Sequence, residues 1–337
     1  IPARNEAERI RSCLDALTVQ KHKALGVIVL DDHSSDGTSD VVKSFTEKDP
    51  RLRLLQGESL PPNWMGKHWA CHQLAEAATT DYLLFVDADT LLSEDTIATA
   101  LADSQANDAD LLTVIPRRVA ECFIERVMFP FIDWAVLCWL PLKTAHRRRN
   151  PYLSATYGQF MLFRRTAYNA IGGHKAVYDN VVDDFELGRM IKRNGFRWVL
   201  LDGKDHVESQ AYQGDLDAFR GISRSIFPAL DYHLSIFAIF AVLLTLLALT
   251  PSYTLASGLF IGDGNRLFMI MSTVSLGMLS LSWLISCMKF NHSSLTVLIH
   301  PFIIALMLTA GLHSVVTNVW GFSSWKDRTL SDRKIKL

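Results

Sequence analysis

Apolar positions along the first two thirds of the chain alternate between short solid runs and spaced stripes. Ile10, Cys13, Leu14 and Leu17 recur at helical spacing, and Val41, Val42 and Phe45 form a second inward face. Leu25 to Leu30, Arg51 to Leu55 and Asp81 to Val86 read instead as strands. A Pro-rich loop, Leu60 to Lys67, leads into a helix through Trp69 and Leu74, and a helix from about Ser93 to Ser104 precedes a strand from Asp110 to Ile115. Further on, Tyr157 to Phe163 is a strand, Gly172 and Gly173 close a short helix, and a helix opening at Val181 runs to about Asn194, with Gly195 as its stop. A strand over Phe196 to Leu201 and a helix over Ala218 to Ser225 follow. Strands alternating with helices at this spacing predict an α/β domain over residues 1–230, a mostly parallel sheet flanked by helices.

The pattern then changes. Residues 234–255, 267–288 and 295–316 are each close to the ~20 apolar residues that cross a bilayer, and they predict transmembrane helices. The tail, 321–337, carries Lys326, Arg328, Arg333, Lys334 and Lys336, which argues for the cytoplasmic side. Three crossings place that tail opposite the N-terminal domain, so either one segment is re-entrant or the count differs. Cys122 to Leu142 is apolar but broken by Glu125, Arg126, Pro130 and Asp133, and it suits an interfacial segment lying on a bilayer. The cluster Lys143, His146, Arg147, Arg148 and Arg149 suits anionic headgroups or a plain solvated loop.

Composition narrows the field. A net charge of -1 over 337 residues gives no basic field for nucleic acid. Five cysteines without CxxC spacing fit a reducing compartment and set aside a disulfide scaffold or zinc-cysteine site. The chain opens at Ile1-Pro2, and an upstream strand or membrane helix is expected before it.

Chemistry concentrates at strand ends. Asp87 and Asp89 lie one residue apart after an apolar run, so in an extended backbone they face one side. Two carboxylates held together repel, and Mg²⁺ or Mn²⁺, which prefer hard oxygen ligands and substrate phosphates, relieve that repulsion. Asp31 and Asp32 end the earlier strand, and ligands of parallel sheets sit at such carboxyl ends. An EF-hand reading of Asp32-x-Ser34-x-Asp36-Gly37 fails, because Lys43 stands where a bidentate Glu is needed. A P-loop reading of Gly66-Lys67 fails on spacing, since Pro61 holds the place of the first Gly. Lys67 near a helix start either reaches a phosphate or is a solvated lysine beside a packed Trp. Asp183 and Asp184 open a helix, either as capping charges or as the site of a base. Arg220 and Arg224, one turn apart, either hold a diphosphate or face solvent or lipid headgroups.

Together these residues resemble the family 2 glycosyltransferases of the GT-A fold. Pro2-x-x-Asn5-Glu6, Asp31-Asp32-x-Ser34-x-Asp36-Gly37-Thr38, Asp87-Ala88-Asp89 and Asp183-Asp184 match its motifs in order over roughly Ile1 to Arg224. Pro61-x-Asn63-Trp64-x-Gly66-Lys67, Gly158-Gln159-Phe160 and the trailing apolar segments resemble its membrane-bound branch, which glycosylates hopanoid, carotenoid or other lipid acceptors. The resemblance implies that Pro2 and Glu6 help hold the nucleotide and that Asp32 bonds uracil. It also implies that Asp87 and Asp89 hold Mg²⁺ or Mn²⁺ on the diphosphate and that Asp184 is the general base. The Gln/Arg-x-x-Arg-Trp motif of processive synthases is absent, which favours one transfer per acceptor. The expected activity is inverting transfer from a UDP-sugar to a lipid hydroxyl by a multi-pass membrane enzyme, its catalytic domain on the cytoplasmic face. A polyprenyl-phosphate glycosyltransferase or a nucleotidyltransferase would use the same metal site, although a nucleotidyltransferase usually carries a Gly-rich basic loop where Ala3-Arg4-Asn5-Glu6 stands. A non-catalytic adaptor is disfavoured by the intact acidic positions.

Overall fold

A computed structural model of the chain describes residues 1–262 and 265–320, and beyond them only 324–325, 328–329 and 336. Lys326, Arg333 and Lys334 of the basic tail lie outside the described residues. Two compact units emerge, one built from Ile1–Val119 and Leu140–Ala211, the other from Ala120–Trp139 and Tyr212–Leu337.

The first unit is α/β. Its opening strand β1 (Pro2–Ala3) pairs in parallel with β2 (Val27–Asp31), which pairs in parallel with β3 (Leu52–Gln56). Between them run α1 (Ala7–Thr18) and α2 (Thr38–Thr46). The α1 stripe is buried as its spacing requires, with Ile10, Cys13, Leu14 and Leu17 against Val29 and Val42 in one core. Next come α3 (Gly66–Ala77), β4 (Tyr82–Val86), β5 (Thr90–Leu92), α4 (Thr96–Ala106), β6 (Leu111–Ile115) and β7 (Arg117–Arg118). The second unit then contributes α5 (Phe123–Trp139) before the chain returns through α6 (Leu142–Arg147) to β8 (Phe160–Arg164). Helix α7 (Arg165–Ala170), a 3-10 turn (Gly173–Val177), α8 (Asp183–Arg193), β9 (Trp198–Asp202) and β10 (Val207–Ser209) complete the first unit.

The second sheet has the order β4-β8-β6-β9, in which β6 and β9 are parallel and β8 runs antiparallel to both its neighbours. A small third sheet, β5-β10-β7, lies just beyond the end of β4. An apolar cavity of about 420 Å³ between β2 and β4 is lined by Val27, Ile28, Tyr82 and Leu84, and by none of the acidic residues singled out above.

In the second unit α5 is continuous through Pro130 and precedes α9 (Asp215–Ala229). Helices Leu234–Phe260, Arg266–Phe290 and Thr296–Val319 are each long and apolar enough to cross a membrane. Trp134 of α5 stacks on Trp283 at 5.3 Å and donates its indole N–H to Ser282 Oγ at 3.0 Å. Asp133, buried on α5, lies 2.7 Å from His292 Nε2, which gives its carboxylate a hydrogen-bond partner.

Candidate active site

The site begins at the carboxyl ends of β1 and β2. Asn5 sits at a positive φ of 53°, a conformation asparagine tolerates. There its backbone N–H donates to Ser34 Oγ (2.9 Å) and its side chain accepts from Ser35 N–H (2.9 Å). Glu6, preceding α1, donates its N–H to Thr38 Oγ1 (2.9 Å), and Ala7 donates to Asp36 Oδ2 (2.9 Å). Burial works against ionisation of Asp36, but bonds from Thr38 and Ala7 prevail and hold its carboxyl below the usual value. Asp31 is likewise turned into the loop, accepting from Ser34 N–H (3.0 Å) and the Ser39 hydroxyl. Of the four acidic residues here, Asp31 and Asp36 therefore brace the backbone. Asp32 is buried, with Arg4 Nη1 3.8 Å from its carboxylate and bonded to its carbonyl (2.6 Å). Pro2 pairs with Leu30, at the start of the same turn.

Asp87 and Asp89 follow β4 as expected. Lys67, second residue of α3, places its Nζ 2.6 Å from Asp87 Oδ1, both side chains partly buried. Burial disfavours the ammonium, yet the charges of Asp87 and then Asp183 outweigh it and raise the proton affinity of Lys67. Asp89 is pushed up to about 7, first by burial and then by the charges of Asp87 and Glu6, partly offset by Lys67 and Arg9. The turn after β1, the end of β4 and the start of α3 thus share one charged neighbourhood.

Asp184, in the first turn of α8, closes it. Its Oδ2 accepts from Gly158 N–H (3.0 Å) and its Oδ1 from Phe185 N–H (2.7 Å). A Cβ at position 158 would stand 3.2 Å from that Oδ2, so Gly158 lets the carboxylate lie against the backbone. The carboxyl is pushed up to about 7, first by burial and then by the adjacent charge of Asp183, against Lys67 and the two N–H groups. A carboxylate of this kind takes up and releases a proton near neutral pH, as a general base requires. Arg220 and Arg224 lie on α9 in the second unit, Arg220 exposed and Arg224 half-buried.

The sequence motifs contain Asn5, Asp36 and Asp183 without showing these roles, and His68 and His174 carry no sequence signal at all. Asn5 and Asp36 brace the loop that presents Asp32, and Asp183 points inward to His68 and His174. Among the described residues no three His, Cys, Asp or Glu side chains converge closely enough to enclose an ion on their own. The Asp87–Asp89 pair offers only carboxylate oxygens, and burial together with the charge of Asp87 raises Asp89; a hard divalent cation completed by phosphate oxygens and water fits that donor set.

Comparison with known proteins bears on the family and the fold. The family described as "Glycosyl transferase family 2" matches residues 1–172. The 4,4'-diaponeurosporenoate glycosyltransferase of Staphylococcus aureus is 29% identical over 215 residues, 63% of this chain and 56% of that protein. The protein of the same name from Staphylococcus haemolyticus is 25% identical over 215 residues with the same coverage. The chain therefore spans just over half the length of these relatives. Among solved structures, a mannosyltransferase from Pyrobaculum calidifontis in complex with GDP-Man and Mn²⁺ superimposes with a TM-score of 0.58 at 20% identity, over 95% of this chain and 85% of that one. That likeness is one of fold, and it gives the α/β unit the GT-A character expected from its motifs.

Proposed function

The chain belongs to glycosyl transferase family 2, and on that premise we propose that it moves a sugar from a UDP-sugar to a hydroxyl of a lipid acceptor at a membrane, inverting the anomeric carbon. One observation carries the reading: Asp184, held by Gly158 N–H and poised near neutral pH, shares Lys67 with the Asp87–Asp89 pair. Asp184 accepts the proton of the acceptor hydroxyl as that oxygen attacks the anomeric carbon, and the bond to the departing diphosphate breaks in the same displacement. One base on one face gives inversion. Asp87 and Asp89 would hold Mg²⁺ or Mn²⁺. When bound, such a cation neutralises charge growing on the leaving diphosphate. Lys67, Nζ at Asp87 in this state, would supply a further positive charge to the same diphosphate, while Asp32, Pro2 and Glu6 line the nucleotide end.

The lipid acceptor is supported by the staphylococcal relatives, named for glycosyl transfer to 4,4'-diaponeurosporenoate, and by the three apolar helices. Those helices would anchor the enzyme as a multi-pass protein with its α/β unit on the cytoplasmic face. Arg220 and Arg224, on the second unit, would serve anionic lipid headgroups. The test uses the purified full chain with radiolabelled UDP-glucose, UDP-galactose or UDP-N-acetylglucosamine, Mn²⁺ and a total bacterial lipid extract. Label should pass into the organic phase with matching UDP release, and chelation should stop it. No transfer from any donor, with the protein folded, would refute the reading.

A further inference from the structure

Asp184 has a neighbour that the transfer does not touch. Asp183, the first residue of α8, is buried, with its Oδ1 3.9 Å from His68 Nε2 and its Oδ2 3.6 Å from His174 Nε2. Neither Asp183 Oδ2 nor His174 Nε2 makes a hydrogen bond, so two enclosed, unpartnered atoms face each other. His174 is fixed from behind: its Nδ1 lies 2.8 Å from the Tyr168 hydroxyl, which also accepts the His174 backbone N–H at 3.0 Å. Gly173, at φ +52°, makes this approach possible, because a Cβ there would fall 2.3 Å from Tyr168 Cζ. His68 donates its Nε2–H to the Asn180 carbonyl at 2.8 Å.

An isolated buried carboxylate is costly, and an opposite charge at short range is what makes it tolerable. Burial opposes both charges here, yet His68, His174 and Lys67 hold Asp183 well below the usual carboxylate range. His174 is held well above its ordinary value by Cys71, Tyr168 and Asp183 despite its burial. Consecutive residues of α3 serve the two acidic clusters, Lys67 reaching Asp87 and His68 reaching Asp183.

We propose that Asp183 and His174 form a buried ion pair that acts as a positioning device, pinning the first turn of α8 to α3 and the Gly173–Val177 turn so that Asp184 stays against Gly158 N–H with one fixed negative charge beside it. The proposal rests on Asp184 being the base. Asp183 is faced by Lys67 and His68 from α3, by His174 from the 3-10 turn, and by Asp184 on its own helix; His174 in turn is faced by Cys71 from α3 and Tyr168 from α7. Its negative charge lifts Asp184 toward neutral pH, where a base is strong yet still deprotonated.

Two measurements on the full-length chain in detergent test this. The first is histidine NMR of isotopically labelled protein, with His174→Gln used to assign the signal. The His174 ring should remain an imidazolium well above the ordinary histidine range, and in Asp183→Asn it should titrate at or below that range. A neutral His174 in the unmodified protein overturns the ion pair. The second is the pH profile of transfer from the UDP-sugars and lipid extract named above. Asp183→Asn should move the acidic limb of kcat down by about one pH unit, the scale of one lost neighbouring charge, and leave donor KM within twofold. His174→Gln, which strips the counter-charge from Asp183, should move that limb the opposite way and keeps the test alive if Asp183→Asn does not fold. Unmoved limbs with kcat and KM lost together would mean a purely structural role and overturn the proposal. No transfer by the unmodified chain, with the imidazolium signal present, would instead strike the assignment of Asp184 while leaving the ion pair standing.

Discussion

Asp184→Asn separates the chemistry of this site from its architecture. The amide has the shape of the carboxylate, and its oxygen still accepts the Gly158 N–H that holds Asp184 at 3.0 Å, while its NH2 gives up the bond that Oδ1 accepts from Phe185 N–H. What disappears is the ability to take a proton, and loss of general base catalysis costs about 10²–10⁴ in rate. Stability should move the other way. The folded carboxyl is pushed up from the ordinary 3.8 to about 7, so the fold disfavours its ionised form. At ~1.4 kcal/mol per pH unit that penalty is about 4 kcal/mol, and partial solvent access reduces it to about 2 kcal/mol. The penalty is absent below about pH 4, grows as pH rises, and is complete above about pH 7. Asp184→Asn removes it but loses the Phe185 N–H bond, worth about 1 kcal/mol, so at pH 8 the variant should be more stable by about 1 kcal/mol, a small gain in Tm. The assay combines UDP release with thermal unfolding in detergent and calorimetry of UDP binding in Mn²⁺. Transfer should fall by at least about 10² with the UDP Kd within twofold. Retention of more than a tenth of the activity, or a stability loss at pH 8, would refute the reasoning.

Three further outcomes follow from the same geometry. Lys67→Met deletes the ammonium 2.6 Å from Asp87, so UDP binding should weaken by roughly tenfold or more, the worth of one charge-assisted hydrogen bond. Mn²⁺ binding by calorimetry should hold or strengthen, because a competing cation has gone. Gly158→Ala puts a methyl group 3.2 Å from Asp184 Oδ2, and the displaced base should lower kcat about tenfold while UDP affinity stays within twofold. With Asp184 near 7, the unmodified chain should lose transfer about tenfold per pH unit below 7 and plateau above it, read as initial UDP release across buffers.

Much of this was legible in the residues. The β2 and β4 runs ended in the expected carboxylates, and Ile10, Cys13, Leu14 and Leu17 turned inward as their spacing required. The direction of β8 was not legible. It is buried on both faces, so Phe160 to Phe163 read as one apolar run like any parallel strand, and only its partners reveal that it runs antiparallel. The division of the chain was equally hidden: the α5 segment joins the helices that follow Tyr212, a contact with no local signal. Within the site, Asp36 stood in the motif without a stated role, and it spends its oxygens on Thr38 and Ala7. Asp183 looked like a twin of Asp184 or a cap. Its partner His68 lies far from it in sequence and His174 on a separate short turn, and burial rather than spacing makes them a cluster.

The central claim is that Asp87, Asp89, Lys67 and Asp184 together transfer a sugar to a membrane lipid. Mass spectrometry of lipids from a bacterial membrane in which the chain is newly expressed, beside the same membrane carrying Asp184→Asn, tests this most directly. The account predicts a lipid species heavier by one sugar residue in the first membrane and its absence in the second. Identical lipid spectra from the two membranes, with both proteins present and folded, would contradict it.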